Sequence, residues 1–476
     1  MRRFPHIIDR RHFLAHSGLG LGSIALSSML AGDTPAQATV GPASRDPLAV
    51  RPSHFPATAK RVIYLFMMGG PSHLDLFDYK PALNRFDGQP IPASYVEGER
   101  FEQITEKQPR ILGSPYSFAR YGETGSEVSQ LLPHLQQVVD ELAFVRTART
   151  EETVHPLAQL LLFTGLRTAG RPSLGSWINY GLGSQSQDLP GFVSTVRGPV
   201  PQAHDGIISN GFLASSYHGV PLRNQGDPIL NLNRPAGTTA AGNRRVLQTI
   251  NRLNAERLAE TGDPEIAARI RAYELAFRMQ SSAPQLIDLS NETQRTLDLY
   301  GAHPETPNFA RDCLLARRMA ERGVRFVQLS LGDWDHHSNI FGSFPQLCQQ
   351  MDQPVAALIQ DLKQRGLLDD TLVIWGGEFG RTPVAQPQKT AQVGRDHHVH
   401  SFTMWFAGGG TRPGANVGAT DDLGFHPTAG SVHIHDLQAT ILHLLGLDHT
   451  RLTYRFQGRD FRLTDVHGEV VRGLLA

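Results

Sequence analysis

The clearest pattern in the sequence is a series of short, almost unbroken apolar segments, each followed by glycine or polar residues. The first spans residues 61–68 and ends at Gly69-Gly70-Pro71. A continuous apolar segment of this length that stops at a turn signal is typical of a strand buried on both faces. Later segments of the same kind lie at 143–146, 191–196, 324–331, 371–375 and 401–407.

Segments with helical periodicity lie between these strands. They predict helices near 126–141, 155–163, 308–322, 344–365 and 434–445. Strands that alternate with helices favour the α/β class, with a mainly parallel central sheet flanked by helices. In such a sheet, ligands bind beyond the carboxyl ends of the strands.

Composition divides the remainder of the chain. Residues 39–60 are rich in Pro, Ala and Ser and indicate a linker before an α/β domain at 61–446. Residues 197–300 are expected to form an insertion. Its first part, 197–240, has the Gly, Pro and Asn content of a long functional loop or small cap, and two surface helices follow near 243–260 and 263–283. The tail at 447–476 is expected to pack on the domain.

The first 38 residues have the features of a targeting segment. Arg10-Arg11 precedes a moderately apolar, small-residue stretch and then Ala36-Gln37-Ala38, which resembles a cleavage site. The segment resembles a bacterial twin-arginine leader, which implies the twin-arginine export machinery as a partner and a periplasmic or secreted product. A membrane anchor is the alternative, although the apolar stretch is shorter than the ~20 residues of a span. No later segment reaches that length, so we expect no membrane span after processing.

Charge and cysteine content exclude several classes. The chain has 45 basic and 45 acidic side chains and no net charge, and this balance gives no indication of nucleic-acid binding. Two cysteines exclude a disulfide framework and a four-cysteine zinc site. The 21 histidines are notable because histidine is the commonest metal ligand.

Histidines and carboxylates follow several predicted strands. The candidate metal ligands are His73, Asp75, Asp335, His337, Glu378, Asp396 and His397. Each has a structural alternative when taken alone: Asp335 and His337 can form a hydrogen-bonded turn. Glu378 can pair with Arg381, and Asp396 can cap a turn beside a surface histidine. Their coincidence at one sheet edge favours a metal site.

The ligand types suggest which ions such a site would hold. Mixed imidazole and carboxylate ligands suit zinc, manganese or iron, with calcium as a further candidate. One or two divalent ions are expected, and a two-metal centre suits in-line displacement at phosphorus or sulfur. Arg381 and Arg167 are candidates for binding oxyanion oxygens of the substrate. A local salt bridge and a solvated loop charge are the alternatives for these two residues.

The order of these motifs resembles the alkaline-phosphatase-like superfamily, which includes sulfatases, phosphodiesterases and cofactor-independent phosphoglycerate mutases. Residues 164–167 are similar to the sulfatase segment that ends in Leu-Thr-Gly-Arg, and residues 436–446 are similar to a late helix of the superfamily. The nearest resemblance is to the uncharacterised exported "domain of unknown function 1501" family. Its hallmark motifs correspond here to residues 69–75, 334–337, 377–383 and 394–397.

The resemblance implies a role for each candidate ligand. Asp335, His337 and His397 match the residues that hold one metal. Asp75, with His73 as a further candidate, takes the place of the first-strand acid of a second metal. Glu378 stands where the superfamily usually has Asp, and Asp396 is a possible further ligand.

The nucleophile position is where the match is weakest. His155 occupies the place of the sulfatase cysteine or the phosphatase serine, so the chain has no cysteine there to become formylglycine. His155 is therefore a candidate nucleophile or general acid–base. The alternative is that His155 caps the helix or lines the pocket. Thr153 and Ser72 are further candidates, and a metal-activated water would remove the need for a side-chain nucleophile.

Two main hypotheses follow. The first is an exported metal-dependent hydrolase of phosphate or sulfate esters, whose substrate is a small molecule or is linked to a polysaccharide. The second is a non-catalytic protein that binds metal or carbohydrate on the same scaffold. A phosphotransferase acting through His155 is a third hypothesis, which fits an exported protein poorly.

Overall fold

The computed structural model describes residues 46–99, 101–223, 229, 237–386 and 392–476 of the chain. The expected leader, the first part of the expected linker and parts of the 197–240 loop lie outside the described residues. Among the helices of the described ranges, none combines the length and the apolarity needed to cross a membrane.

The strands are short, and most of the longer ones are fully buried. They are β1 (Arg61–Met67), β2 (Phe118–Tyr121), β3 (Ser126–Ser129), β4 (Leu142–Arg149), β5 (Phe192–Arg197), β6 (Val220–Pro221), β7 (Phe326–Leu331), β8 (Thr371–Gly376), β9 (Gly380–Gln386), β10 (Gly394–His398), β11 (Phe402–Ala407), β12 (Asn416–Val417), β13 (Ala419–Thr420), β14 (Pro427–Ala429), β15 (Val432–His433), β16 (Tyr454–Phe456) and β17 (Arg459–Phe461).

The helices lie between the strands of the central sheet. They are α1 (His73–Leu76), α2 (Pro81–Arg85), α3 (Ala93–Val96), α4 (His155–Thr164), α5 (Leu174–Leu182), α6 (His204–Ile207), α7 (Ala240–Thr261), α8 (Pro264–Ile287), α9 (Gln294–Tyr300), α10 (Phe309–Glu321), α11 (Ile340–Gln364) and α12 (Ile434–Leu444). Short 3₁₀ segments occur at Leu135–Glu141, Ser215–Tyr217, Leu368–Asp370 and Arg472–Leu474.

The main sheet is mostly parallel, as predicted. Within the described residues it has nine strands in the order β12-β4-β11-β8-β1-β7-β5-β6, with β15 also paired to β4. Its pairings are parallel except those of β11, which runs antiparallel to both β4 and β8. The α/β class with a mainly parallel sheet flanked by helices is therefore confirmed, and each of the six predicted strands is present.

Burial on both faces explains why β1 is an unbroken apolar segment. All seven of its residues are buried. Ile63, Leu65 and Met67 belong to one hydrophobic cluster, whereas Val62, Tyr64 and Phe66 belong to another. Alternate side chains of a strand point to opposite faces, so a central strand covered by helices on both sides needs apolar residues at every position.

One predicted helix is wrong. Residues 126–141 form strand β3, a short connection and a 3₁₀ segment instead of a helix. Strand β3 pairs antiparallel with β2, and Gly122 and Gly125 of the connecting turn have φ of 67° and 63°. Glycine adopts such positive φ readily, and this allows the hairpin to close. The helical pattern was a coincidence of spacing in a polar hairpin.

The tail and the insertion contain regular structure. Helices α7 and α8 correspond to the two predicted helices of the insertion. In the tail, β16 and β17 form a hairpin, and Leu452, Leu463 and Leu474 are buried in the cluster that also contains residues of α4 and α12. Hydrogen bonds from Arg412 N to Leu474 O and from Ala476 N to Gly410 O hold the last residues against the domain.

The sheet topology brings distant segments to one edge. Strands β1, β4, β7 and β8 are parallel, so the residues that follow them lie at the same edge of the sheet. Strand β11 is antiparallel, so the residues that precede it, including β10, lie at that edge too. Strands β9 and β10 form a two-stranded ribbon, which contains most of the motif at 377–383 and the whole motif at 394–397.

Candidate metal centre

Four side chains converge at this edge. His155 is the first residue of α4, Asp335 and His337 follow β7, and His397 lies in β10. One ligand atom from each of the four lies within 4.8 Å of the others. In the described part of the chain, this is the one group of three or more His, Cys, Asp and Glu side chains that could hold a metal ion.

The carboxylate of Asp335 lies at the centre of the group. Its Oδ2 is 3.2 Å from His155 Nε2, and its Oδ1 is 2.9 Å from His337 Nε2 and 3.3 Å from His397 Nε2. The Nε2 atoms of His337 and His397 are 2.9 Å apart. All three imidazoles thus direct the same ring nitrogen to one point.

The other ring nitrogen of each histidine is held by an oxygen acceptor. The pairs are His155 Nδ1 with Glu378 Oε1 at 2.7 Å, His337 Nδ1 with Gln386 Oε1 at 2.5 Å, and His397 Nδ1 with the Thr153 carbonyl at 2.5 Å. A neutral imidazole that donates from Nδ1 carries its lone pair on Nε2. This arrangement, with an acceptor behind each histidine, is characteristic of metal ligands.

The facing lone pairs and the local charge both indicate that a cation fits here. Two Nε2 lone pairs at 2.9 Å repel each other unless a positive charge lies beside them. Asp335, Glu378 and Asp396 supply three carboxylates against the single guanidinium of Arg381, and this leaves an excess of two negative charges. Such an excess near buried groups is compensated by a bound divalent ion.

The pKa of His155 reflects the same attraction for positive charge. Burial lowers its pKa, but hydrogen bonds to Asp335 and Glu378 outweigh burial and raise the pKa to about 9. Asp335 is affected in the opposite direction. Burial raises its pKa, whereas contact with the rings of His155, His337 and His397 holds that pKa far below the usual range. Without a metal, a proton on His155 is the cation that this site holds.

Glu378 faces His155 instead of the centre of the group. It is completely buried, and its carboxylate accepts hydrogen bonds from the Gly69 N–H at 3.1 and 3.2 Å and from Gln159 Nε2 at 3.0 Å. Burial raises the pKa of this carboxyl, but the bond from His155 dominates and the pKa is lowered. Its geometry is that of a residue that orients His155, whereas the sequence pattern indicated a ligand.

Arg381 is completely buried, and its guanidinium donates four hydrogen bonds within the protein. It donates to Asp335 Oδ1 at 2.5 Å, to the Gly70 carbonyl at 2.9 Å, to the Arg395 carbonyl at 3.1 Å and to the Gly69 carbonyl. These four bonds fix Asp335 and the loop after β1, so the contacts of Arg381 give it a positioning role. Its role in substrate binding stays a prediction.

Arg167, the other predicted oxyanion residue, lies apart from the group. Its side chain is 66% exposed and donates to Glu152 at 2.9 Å. Its role in binding an oxyanion stays a prediction.

The remaining candidate ligands do not join the group. Asp396 accepts from the backbone N–H of Gln103, Ile104 and His397, and its Oδ1 is 3.8 Å from His337 Nδ1. Because this carboxylate accepts hydrogen bonds from backbone N–H groups, it holds the backbone around the site and does not face the point where the four side chains converge.

Asp75 and His73 also lie outside the group. Asp75 forms a fully buried ion pair with Arg395 at 3.0 Å and accepts from Ser72 Oγ at 2.5 Å. His73 is buried against His398, with the two rings stacked at 6.1 Å, and burial lowers its pKa to about 4. Arg395 already neutralises the carboxylate, so the geometry does not assemble the expected second ligand set. The role of these two residues as ligands stays a prediction.

Gln103 is a site residue that the sequence pattern did not indicate. Its Nε2 is 3.3 Å from His337 Nε2, and its Oε1 accepts from Gln386 Nε2 at 2.7 Å. A single glutamine in a polar segment has no periodicity or motif by which it could be recognised. The neighbouring Glu102 accepts from Thr153 Oγ1 at 2.9 Å, so the segment 102–104 packs along the group.

A cavity of about 240 Å³ opens beside the group. The Asp335 side chain, 43% exposed, and His155 form part of its wall. The other lining residues are Met68, Gly69, Gln159, Pro199, Val200, Gln202 and Asp333. A small polar substituent fits such a cavity, and no lysine or arginine is among these lining residues.

Solved structures of low similarity match most of this chain. A lipoteichoic acid synthase, LtaP, from Listeria monocytogenes is 11% identical, with a TM-score of 0.37, and the match covers 87% of this chain and 78% of that one. A protein in the alkaline phosphatase superfamily from Vibrio parahaemolyticus is 12% identical, with a TM-score of 0.34 and coverage of 87% and 72%. A phosphonate monoester hydrolase from Silicibacter pomeroyi is 13% identical, with a TM-score of 0.33 and coverage of 72% and 71%. Values this low do not establish a shared activity.

The family is established by the sequence itself. Among curated proteins, no sequence matches this chain significantly. One family profile, described as "Protein of unknown function (DUF1501)", matches residues 59–475. That range contains the whole central sheet and all four side chains of the converging group. The chain therefore belongs to the DUF1501 family of proteins of unknown function.

Proposed function

We propose that this protein is a metal-dependent hydrolase of phosphate or sulfate esters that works after export through the twin-arginine route. The observation that supports this most directly is the convergence of three imidazole Nε2 atoms on the Asp335 carboxylate beside an open cavity. His155, Asp335, His337 and His397 would hold one ion. A nitrogen-rich set favours zinc, manganese or iron over calcium, which prefers oxygen ligands.

The chain's own residues supply binding and orientation. A divalent ion in this site would polarise the ester oxygen and activate water at neutral pH. Glu378, Gln386 and the Thr153 carbonyl hold the three imidazoles in the orientation that presents Nε2. Arg381 fixes Asp335.

His155 fits the role of a ligand better than that of a nucleophile. Its Nδ1 is committed to Glu378, and its Nε2 faces Asp335. Both cysteines, Cys313 and Cys348, are buried in other helices and neither occupies the His155 position, so formylglycine chemistry has no thiol to start from there. Activated water is the nucleophile that this arrangement favours.

The cavity supports a small-molecule ester or the end of a polysaccharide-linked ester as substrate. Its volume of about 240 Å³ accommodates one compact substituent next to Asp335. Its lining has no lysine or arginine, so an ion held by the four ligands would provide the positive charge for the phosphate or sulfate group.

A non-catalytic metal- or carbohydrate-binding protein is the second candidate. The observation in its favour is the absence, among the four converging side chains, of a hydroxyl or thiol that could act as a nucleophile. Turnover of an ester would decide between the two candidates.

The first experiment is metal stoichiometry by elemental mass spectrometry on the full chain, beside Asp335→Ala and a matched His134→Ala control. His134 is exposed and precedes the amino end of β4, at the opposite edge of the sheet. We expect about one tightly held ion in the parent and in His134→Ala, and loss of that ion in Asp335→Ala.

Aryl phosphate and aryl sulfate assays with the identified metal then test catalysis. Hydrolysis by the parent and the control, lost in Asp335→Ala, is the expected result. An ion without turnover of any ester would favour the binding protein. A parent that holds no ion after reconstitution would refute the metal site.

A further inference from the structure

A closed ring of hydrogen bonds connects Gln103 to the converging group. His337 Nδ1 donates to Gln386 Oε1 at 2.5 Å, and Gln386 Nε2 donates to Gln103 Oε1 at 2.7 Å. The Gln103 Nε2 then returns to within 3.3 Å of His337 Nε2. Because Gln386 fixes the oxygen of the Gln103 amide, the NH₂ group is the part that faces the site.

The backbone of this segment is anchored independently. The N–H groups of Gln103 and Ile104 donate to Asp396 Oδ2 at 2.8 and 3.0 Å. Asp396 is buried and also accepts from the backbone of His397. The position of Gln103 is therefore set by the same carboxylate that fixes a converging histidine, although its side chain remains exposed.

When the histidines bind an ion, the Gln103 amide N–H that faces His337 Nε2 loses that acceptor. His337 Nε2 has one lone pair, and it is the only acceptor that the structure shows for Gln103 Nε2 within the described residues. Once that lone pair is committed to an ion, the amide N–H faces the same space without an acceptor. An oxygen atom of a tetrahedral oxyanion bound there would satisfy it.

We propose that Gln103 is a catalytic residue that donates a hydrogen bond to an oxygen of the substrate's phosphate or sulfate group. The inference rests on the proposed function for the identity of that group. The cavity contacts the cluster through His155 and Asp335, whereas Gln103 contacts it through His337, so the cavity and the Gln103 amide lie beside different ligands of the same ion site. The hydrogen bonds of Arg381 go to Asp335 and to backbone carbonyls, whereas the Gln103 amide faces His337.

The test uses the full chain loaded with Co²⁺, whose visible absorption reports anion binding. Inorganic phosphate and inorganic sulfate are titrated into the parent, Gln103→Ala, Gln103→Glu and a Gln108→Ala control, and cobalt stoichiometry is measured for each. Gln108 is an exposed glutamine in the same segment. Because Gln103 is also exposed, its substitution is compatible with folding.

We expect Gln103→Ala to weaken phosphate or sulfate binding by about 10- to 100-fold, the range for a lost hydrogen bond to a charged group. Cobalt content should not change. Gln103→Glu should weaken binding further, because it places a carboxylate beside the anion, and Gln108→Ala should match the parent.

Three results would overturn the inference: anion affinity in Gln103→Ala within twofold of the parent, loss of cobalt from that variant, or a loaded parent that binds neither anion. Ester turnover is measured separately. A parent that binds the anions through Gln103 but hydrolyses no ester would contradict the hydrolase proposal and leave this inference standing.

Discussion

The substitution Glu378→Gln tests whether Glu378 orients His155 for metal binding or only stabilises the fold. The carboxylate receives three donors, namely His155 Nδ1 at 2.7 Å, Gln159 Nε2 at 3.0 Å and the Gly69 N–H at 3.1 and 3.2 Å. Glutamine has nearly the same shape but only one oxygen. Its NH₂ group then takes the place of Oε2 and faces the Gly69 N–H, because His155 Nδ1 and Gln159 Nε2 both bond to Oε1.

The magnitude has two parts. Substitution of the residue that hydrogen-bonds a metal-ligating histidine, here a carboxylate by a neutral amide, typically lowers metal affinity by about 10- to 100-fold, or about 1.4 to 2.8 kcal/mol. A buried donor left without an acceptor costs about 1–3 kcal/mol of folding free energy. We therefore expect Glu378→Gln to bind the metal more weakly and to unfold more easily even when metal-free.

The two parts are measured separately. Competition with a chelator of known affinity gives the metal dissociation constant, and denaturant unfolding of the chelator-treated chain gives the free energy of unfolding. Glu141→Gln is the matched control, because Glu141 forms an ion pair with Lys363 near the start of β4, and such a surface pair contributes less than about 1 kcal/mol.

Metal affinity within threefold of the parent in Glu378→Gln, with reduced stability, would refute the reasoning. Glu378 would then be a buried structural carboxylate that has no part in presenting His155. An equal loss of affinity in Glu141→Gln would refute it as well, because the effect would not depend on the site.

Two further predictions concern the backbone and pH. Gly69→Ala should abolish metal binding, because Gly69 has φ of 113° and a Cβ there would lie 2.6 Å from the Asp335 nitrogen, whereas a Cβ at Gly88 (φ 73°) meets open space. Retention of metal in Gly69→Ala, or its loss in Gly88→Ala, would contradict this expectation. The metal-free chain should lose up to about 3 kcal/mol of stability as pH rises from 6.5 to 9, since the folded-state pKa of His155, about 9, lies above its ordinary value of 6.5. Unfolding of chelator-treated parent and His155→Gln across this range checks it, and equal slopes for both would contradict it.

The sign of the pH effect follows from the direction of the shift. A raised folded pKa means that the folded chain holds the His155 proton more tightly than the unfolded chain does. The contribution is therefore complete below pH 6.5 and is lost as pH rises through 9. His397 has its pKa lowered to about 4, first of all by burial, so its contribution changes below pH 6.5 and does not overlap.

Much of the fold was predictable from local pattern alone. Strand β1 shows why. Burial on both faces requires an apolar residue at nearly every position, and the sequence therefore has a continuous apolar segment there. The hairpin of β2 and β3 shows the limit. Its short polar strands have the spacing of a helix, and only their pairing decides between the two structures.

The candidate ligands were predictable as a set but not in their individual roles. Asp335, His337 and His397 follow or precede strands whose ends meet at one edge, so their convergence could be expected from topology. Whether His155 or Glu378 faces the centre depends on side-chain direction. In the structure His155 faces the centre and Glu378 lies behind it, whereas Glu378 was expected as a ligand and His155 as a catalytic residue.

Asp75 illustrates a different limit. Its motif beside β1 suggested a ligand, but Arg395, which lies 320 positions away in the chain, neutralises it in a buried pair. Arg395 directly precedes Asp396 and His397, and nothing in that local sequence indicates that its side chain turns away from the cluster. A charge partner at this separation becomes visible only in three dimensions.

The sequence by itself determined the α/β class, six of the nine strands of the central sheet and the sheet edge at which the chemistry lies, because each of these follows from local periodicity and chain order. Only the tertiary structure decided which atoms share one point in space. Three Nε2 atoms meet at Asp335, Gln103 joins them from a segment without a motif, and Arg381 is buried behind them. These roles depend on distances of a few ångströms between segments far apart in the chain, and no pattern of spacing contains that information.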